Sequence, residues 1–307
     1  MIFQCRPLGG YSHSFANENS FHLYGYGEDL PFASGTSDYE PYAFHTMSHK
    51  TILVDGLGQS QPDPPETPRV GYLRAFQRGE GYVYWAGDAT DAYPKKPLQR
   101  SGGWWGTLDP IYNERDAGYL QRFIRHVVFL RGKYFVIFDD LASEKPAQFT
   151  WLYHILPHDP VHFDDKAWTV DYKVGEVPVR IAHIAHRDNL ELTDMKLEKG
   201  FINPLTGEDY TDKPGRLPGG ERREGYLAGH SLYVSNTRKT KEFHFLSVIA
   251  PVKPGENFPK IERIDDRTVS IDGDVISFDP ETKHKAHLII DTAAISGKQP
   301  ALNSFRQ

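Results

Sequence analysis

The chain has 307 residues and a formal net charge of −6, from 35 Lys and Arg against 41 Asp and Glu. No stretch gathers enough Lys and Arg to track a phosphate backbone, which argues against nucleic acid as a partner, and no apolar run approaches the ~20 residues of a membrane span. The single cysteine, Cys5, rules out an internal disulfide framework. Aromatic residues make up 13% of the chain beside 27 Gly and 22 Pro, with only 3 Met, the balance of a β-rich protein with many turns.

The chain opens Met1-Ile2-Phe3-Gln4-Cys5-Arg6, inside what reads as a strand and without the basic and apolar segments of an export signal. That opening suggests a segment upstream. Ser20 to Tyr26 alternates as a half-buried strand, and Thr51 to Gly56 is a second, ending on an Asp-Gly turn. Four prolines between Gln61 and Pro68 mark a surface loop, after which Gly81 to Asp88 resumes the β pattern. The clearest hairpin joins Arg122–Leu130 to Tyr134–Asp140 through Arg131-Gly132-Lys133, with Asp139-Asp140 closing it. Strands are then expected at 149–156, 168–172, 177–184, 231–236, 243–250, 268–271, 275–278 and 286–290. Residues 200–225, rich in Gly, Pro and charge, read as a long loop.

No window carries a helical stripe. The expected architecture is therefore all-β: a large antiparallel two-sheet sandwich with few or no helices, under about a tenth of the chain. The expected boundaries are a sandwich over 1–295, within which a smaller β subdomain could begin near 251, and a tail over 296–307.

The densest polar and aromatic cluster is Gly9-Gly10-Tyr11-Ser12-His13-Ser14-Phe15-Ala16-Asn17-Glu18-Asn19-Ser20-Phe21. Ser34-Gly35-Thr36-Ser37-Asp38-Tyr39-Glu40-Pro41-Tyr42 follows, then His45-Thr46-Met47-Ser48-His49-Lys50-Thr51. In these three stretches, in their order and spacing, the sequence resembles the heparinase II/III-like polysaccharide lyases and their alginate-lyase-like relatives. The likeness continues in Trp85-Ala86-Gly87-Asp88-Ala89, Arg122 to Val127, Val136 to Leu141 and Phe149 to His154. It is strong over the first half of the chain and holds by pattern beyond.

The resemblance implies β-elimination on an acidic, uronate-containing polysaccharide: a base takes the C5 proton, a polar group neutralises the carboxylate, and an acid protonates the leaving oxygen. It implies a catalytic role for His13 and, in the loop after the glycine turn, for Tyr42; His154 is a further catalytic candidate, and the candidate substrate contacts are Asn17, Tyr39, His45, Trp104 and Trp105. Taken alone, His13 would read as an edge histidine bonded to a backbone carbonyl; the surrounding motif favours function. Tyr39 could stand in for Tyr42, His154 could be a satisfied core histidine, and Asn17 and Asn19 could instead cap their turn. His13, Tyr42 and His49 are expected on one face of the sandwich.

No cofactor is expected. Relatives hold a structural zinc, but two of its ligand positions are Phe15 and Ala33 here and only His49 remains, so bound zinc is disfavoured. The family places a helical toroid before this sandwich, so the chain is expected to be one portion of a lyase, working with a toroid domain or subunit and located, by resemblance, in the periplasm or outside the cell. Two other readings stay open. One is a non-catalytic carbohydrate-binding sandwich that stacks sugars on Trp104, Trp105 and Tyr112. The weaker one is a glycoside hydrolase using Asp139 and Asp140, which adjacent positions on a strand would point to opposite faces.

Overall fold

The computed structural model describes residues 1–6, 16–30, 46, 49–59, 71–93, 119–155, 161–197, 229–282 and 285–291, the backbone alone for 194–197, 229–230, 279–282 and 285–291. Their strands are, in chain order, β1 (Ile2–Gln4), β2 (Ser20–His22), β3 (Tyr24–Gly25), β4 (Glu28–Asp29), β5 (Ile52–Val54), β6 (Tyr72–Gly79) and β7 (Tyr82–Asp88). Next come β8 (Leu120–Leu130), β9 (Tyr134–Ala147), β10 (Phe149–Ile155), β11 (His162–Asp164), β12 (Thr169–Val174), β13 (Val177–His183) and β14 (Leu190–Leu197). The last are β15 (Gly229–Asn236), β16 (Thr240–Pro251), β17 (Ile261–Arg263), β18 (Thr268–Ile271), β19 (Asp274–Thr282) and β20 (Lys285–Asp291). The helical elements among the described residues are the single 3-10 turns Thr90–Ala92 and Arg187–Asn189. The chain is all-β, as its composition predicts.

An eight-stranded antiparallel sheet, ordered β11-β12-β13-β16-β9-β8-β7-β6, forms the centre. A four-stranded sheet, β14-β15-β10-β5, lies on one face of it. Val127, Ile137, Val179, Ile181, Phe245 and Ile249 of the large sheet share one core with Ile52, Phe149, Trp151, Tyr153 and Val234 of the smaller. These two sheets are the expected sandwich. The structure adds a third layer: β17-β18-β19-β20 packs on the other face, where Val128, Val136, Phe138, Leu246 and Val248 share a second core with Val269, Ile271, Ile276 and Phe278. Phe138 stacks on Phe278 across that contact, ring centroids 4.8 Å apart.

Burial on both faces explains why β8 and β9 read as continuous apolar runs rather than alternating ones. Odd-numbered residues such as Phe123 and Val127 enter the first core, and even-numbered ones such as Val128 and Leu130 enter the second. Their turn needs left-handed backbone at Arg131 (φ 51°) and Gly132 (φ 66°), a conformation glycine adopts without penalty.

Three expectations need correction. Asp139-Asp140 does not end the hairpin, because β9 runs on to Ala147 and pairs with β16 as well as β8. The strand expected over Ser20 to Tyr26 is broken at Leu23, whose side chain is buried while its carbonyl accepts from Leu30 N. Strands β6, β11, β14 and β17 were absent from the pattern reading. The edge strand β6 carries Arg74, Gln77 and Arg78 among exposed apolar residues, which masks its periodicity.

Candidate functional site

Arg125 enters the first core from β8, a slot its neighbours Phe123 and Val127 fill with apolar side chains. It is wholly buried, and its charge is answered by Asp139 directly opposite on β9: Nε donates to Oδ1 at 2.6 Å and Nη2 to Oδ2 at 2.8 Å. Burial pushes the Asp139 carboxyl upward and Arg125 draws it back. The remaining amine, Nη1, donates to two backbone carbonyls, Asn19 O and Lys50 O, each at 2.6 Å. One guanidinium thus fastens the segment that follows His13 to the segment that follows His45. A planar fork with five donors can do this; a lysine cannot.

Around this anchor the two segments are tied to each other. Glu18 N donates to Gln59 Oε1 at 2.7 Å, Gln59 Nε2 to Glu18 O at 2.8 Å, and Thr51 Oγ1 to the same carbonyl at 2.9 Å. Gln59 N in turn donates to Thr46 Oγ1 at 2.7 Å, and Lys50 N to Ser20 Oγ at 3.2 Å. Asn19 takes left-handed backbone (φ 59°), which asparagine tolerates, and its Nδ2 donates to Gly87 O at 2.9 Å. A Cβ on Gly87 would sit 2.2 Å from Asn19 Oδ1, so the glycine of Trp85-Ala86-Gly87-Asp88 is required by this approach. The neighbouring Asp88 accepts from Thr90 N and from Arg74.

Of the residues singled out from sequence, His13, Tyr39, Tyr42, His45, Trp104, Trp105 and Tyr112 lie outside the described residues. Asn17 is buried, its Oδ1 accepting from Arg6 Nη2 at 2.9 Å and its Nδ2 donating to Gln4 Oε1. His49 is buried at the end of the second segment, its N donating to Thr46 O at 3.0 Å. His154 lies on β10, which pairs with β5 of the second segment, on the face of the four-stranded sheet turned away from the large one, with Nδ1 2.9 Å from Ser231 Oγ. Leu53, Leu152 and Tyr233 share that face, all buried. Asp139 and Asp140 point to opposite faces, Asp139 to Arg125 and Asp140 to Arg122 at 2.7 Å, so the pair is not a two-carboxylate site.

At the zinc positions that the resemblance implies, Phe15 and Ala33 offer no ligand atom.

Lys50 was missed from sequence. It is almost fully buried, and desolvation holds its ammonium down to about 7, Asp29 opposing. A lysine titrating there can accept or donate a proton at neutral pH. Its signal was a lysine between His49 and Thr51 at the mouth of an apolar strand. Arg125 was visible only inside a likeness, although a charge in a strand's inward slot is a physical flag in its own right.

No functionally curated protein matches the chain by sequence. Solved structures do. The heparan sulfate lyase HepC from Pedobacter heparinus superposes with a TM-score of 0.59 at 14% identity over 92% of this chain and 38% of its own. A heparinase III, the BT4657 gene product, gives 0.57 at 14% over 87% and 36%, and another heparinase III gives 0.55 at 12% over 91% and 36%. This chain therefore spans little more than a third of the length of these lyases and shares their fold over that part. No helix of the described residues is long and apolar enough to cross a membrane. Residues 1–101, which hold both segments tied to Arg125, match the family described as heparinase II/III-like, C-terminal.

Proposed function

We propose that this chain is the β-sandwich portion of a polysaccharide lyase that cleaves a uronate-containing acidic polysaccharide by β-elimination, acting with a helical toroid domain or subunit, in the periplasm or outside the cell. Neither nucleic acid nor membrane is a partner on this reading, and residues 1–295 form the sandwich with 296–307 as a tail. His13, Tyr42 and His154 take part in catalysis. One accepts the C5 proton, the C4–O bond breaks as the C4=C5 double bond forms, and the departing oxygen takes a proton from a second. Asn17, Tyr39, His45, Trp104 and Trp105 hold the sugar chain and its carboxylate.

The observation that carries the reading is that the family match over residues 1–101 coincides with two segments locked together by Arg125. A protein that only stacked sugars on exposed aromatics would not need a buried charge to tie the segment around Asn19 to the segment around Lys50. Fixing such segments is what general acid–base chemistry requires.

The test is a panel of uronate polymers, from heparan-type to alginate, watched for the ultraviolet absorbance of the unsaturated product. It is run on the chain alone and together with its toroid. Turnover with the toroid, lost in His13→Ala, is expected, and the chain alone is expected to be slow or silent because half the groove is absent. Binding without absorbance in both forms would favour the carbohydrate-binding reading and overturn this one.

A further inference from the structure

Arg6 follows β1, and its side chain reaches Asn17 and Glu18 in the turn before β2. One edge of the guanidinium is used there: Nε donates to Glu18 Oε1 at 3.3 Å and Nη2 to Asn17 Oδ1 at 2.9 Å. The backbone is held as well. Arg6 N donates to Glu18 Oε2 at 2.5 Å, and Arg6 O accepts from Gly71 N at 2.7 Å. A Cβ on Gly71 would sit 2.5 Å from Glu18 Oε2 and 2.9 Å from Arg6 N, so glycine is what lets three segments close on this carboxylate.

These contacts fix which hydrogens remain. A guanidinium only donates, so the Asn17 atom that faces it is the carbonyl oxygen and not the amine. Asn17 Nδ2 then gives one hydrogen to Gln4 Oε1 and keeps the other. Arg6 keeps more. Its Nε and one Nη2 hydrogen go to Glu18 and Asn17, which leaves the outer end of the fork, Nη1 and the second Nη2 hydrogen, without a partner among the described residues.

Burial separates this ion pair from the one in the core. Arg125 is fully buried, and its Nε and both amines bond within the protein. The Arg6 side chain is 35% exposed although its partner Glu18 is wholly buried. Glu18 and Asn17 thus lock the plane of the guanidinium from one side while its other end stays open to solvent. A fork held in this way matches a planar acid group with two parallel bonds.

We propose that the outer end of the Arg6 fork, with the remaining hydrogen of Asn17 Nδ2, binds an acid group of the sugar chain, a carboxylate or a sulfate ester. The proposal rests on the reading that the protein handles an acidic polysaccharide, and it names the residue that senses the charge. Asn17 alone is neutral and offers an ordinary hydrogen bond. Arg6 adds charge-assisted bonds, about twice as strong, and its bond to Asn17 Oδ1 polarises the amide that stands beside the ligand. Glu18 answers part of the Arg6 charge, but Arg6 N takes a share of the same carboxylate.

The experiment follows the Arg6 Nε–H and Asn17 Nδ2–H resonances by NMR while the full chain is titrated with three octasaccharides: an alginate, an unsulfated glucuronate–N-acetylglucosamine chain and its sulfated form. Both resonances are expected to move on one binding curve. Movement with an unsulfated chain assigns a carboxylate, and movement with the sulfated form alone assigns a sulfate. Arg6→Met should bind the recognised chain at least tenfold more weakly, with a shallower dependence on salt. Arg6→Lys keeps a charge opposite Glu18 but offers no fork, and should still lose about fivefold. Arg180→Met, which removes an arginine of similar exposure (31%) paired with Asp171, should bind as the wild type does. If Arg6→Met fails to fold, Arg6→Lys decides. A folded Arg6→Lys chain with wild-type affinity overturns the proposal and leaves the lyase reading standing, whereas a wild type that binds none of the three overturns both.

Discussion

Arg125 and Asp139 stand directly opposite each other on β8 and β9, fully buried, in a two-pronged ion pair whose remaining amine holds Asn19 O and Lys50 O. Removing one partner strands a charge in the core. Asp139→Ala is therefore expected to cost about 3–5 kcal/mol in urea unfolding. Arg125→Met with Asp139→Leu should recover much of that loss but free the two carbonyls. Amide exchange at Ser20 and Thr51 should then rise well above wild type even where global stability returns; unchanged exchange would mean that Arg125 does not fasten the segments.

Lys50 gives a pH dependence of definite sign. Its folded value of about 7 lies below the ordinary 10.5, so above pH 7 the unfolded chain binds a proton that the folded chain does not. Stability should rise from pH 7 to about 9, by at most about 1.4 kcal/mol per pH unit. Lys50→Met should flatten the rise, read as urea midpoints at pH 7 and 9.

Acid should act through buried histidines. His126, His183 and His244 are each held down to about 3, first by burial, against an ordinary 6.5. Between pH 6.5 and 3 the unfolded state takes up these protons and stability falls as pH falls; Asp139 and Asp140, pushed up by burial, act in the opposite sense. His126 bonds Tyr84 Oη through Nδ1 at 2.9 Å. Replacing that pair by His126→Leu with Tyr84→Phe should reduce the loss of stability between pH 7 and 5 without abolishing it.

The third layer predicts a stability effect far from the family motif. Phe278 is buried against Phe138, and Arg131 at the β8–β9 turn pairs with Asp274 at 2.7 Å. Phe278→Ala should cost about 3–5 kcal/mol. If β17–β20 merely hung beside the large sheet, the change would fall below 1 kcal/mol and denaturation would split into two steps.

How much could be read from sequence depended on which signal each element carries. The β8–β9 hairpin was legible because a buried strand pair shows as an apolar run with a glycine turn. The strands of the third layer were legible, and a smaller β subdomain was expected from near 251, but its place against the large sheet was not, since whether a run faces one apolar partner or two leaves the same letters on the page. Edge strands such as β6, with charges between exposed aromatics, lose their alternation. At the site, the motif stretches were legible as likeness, but the part played by Gly87 and Arg125 depends on Asn19 arriving from far along the chain.

Arg125 and Asn19 are 106 residues apart in the chain. At a synthesis rate of about 5–20 residues per second, the segment after His13 is made roughly 5–20 seconds before the side chain that will hold it. During that interval Asn17 to Phe21 and Ile52 to Val54 have neither their core nor their anchor. The hairpin that carries Arg125 pairs locally and closes early, whereas contacts of such long separation form slowly. The segments that Arg125 holds are therefore translated before their anchor and assembled late. Codon changes or chaperone depletion that alter this waiting time should change the yield of folded protein without changing its final stability.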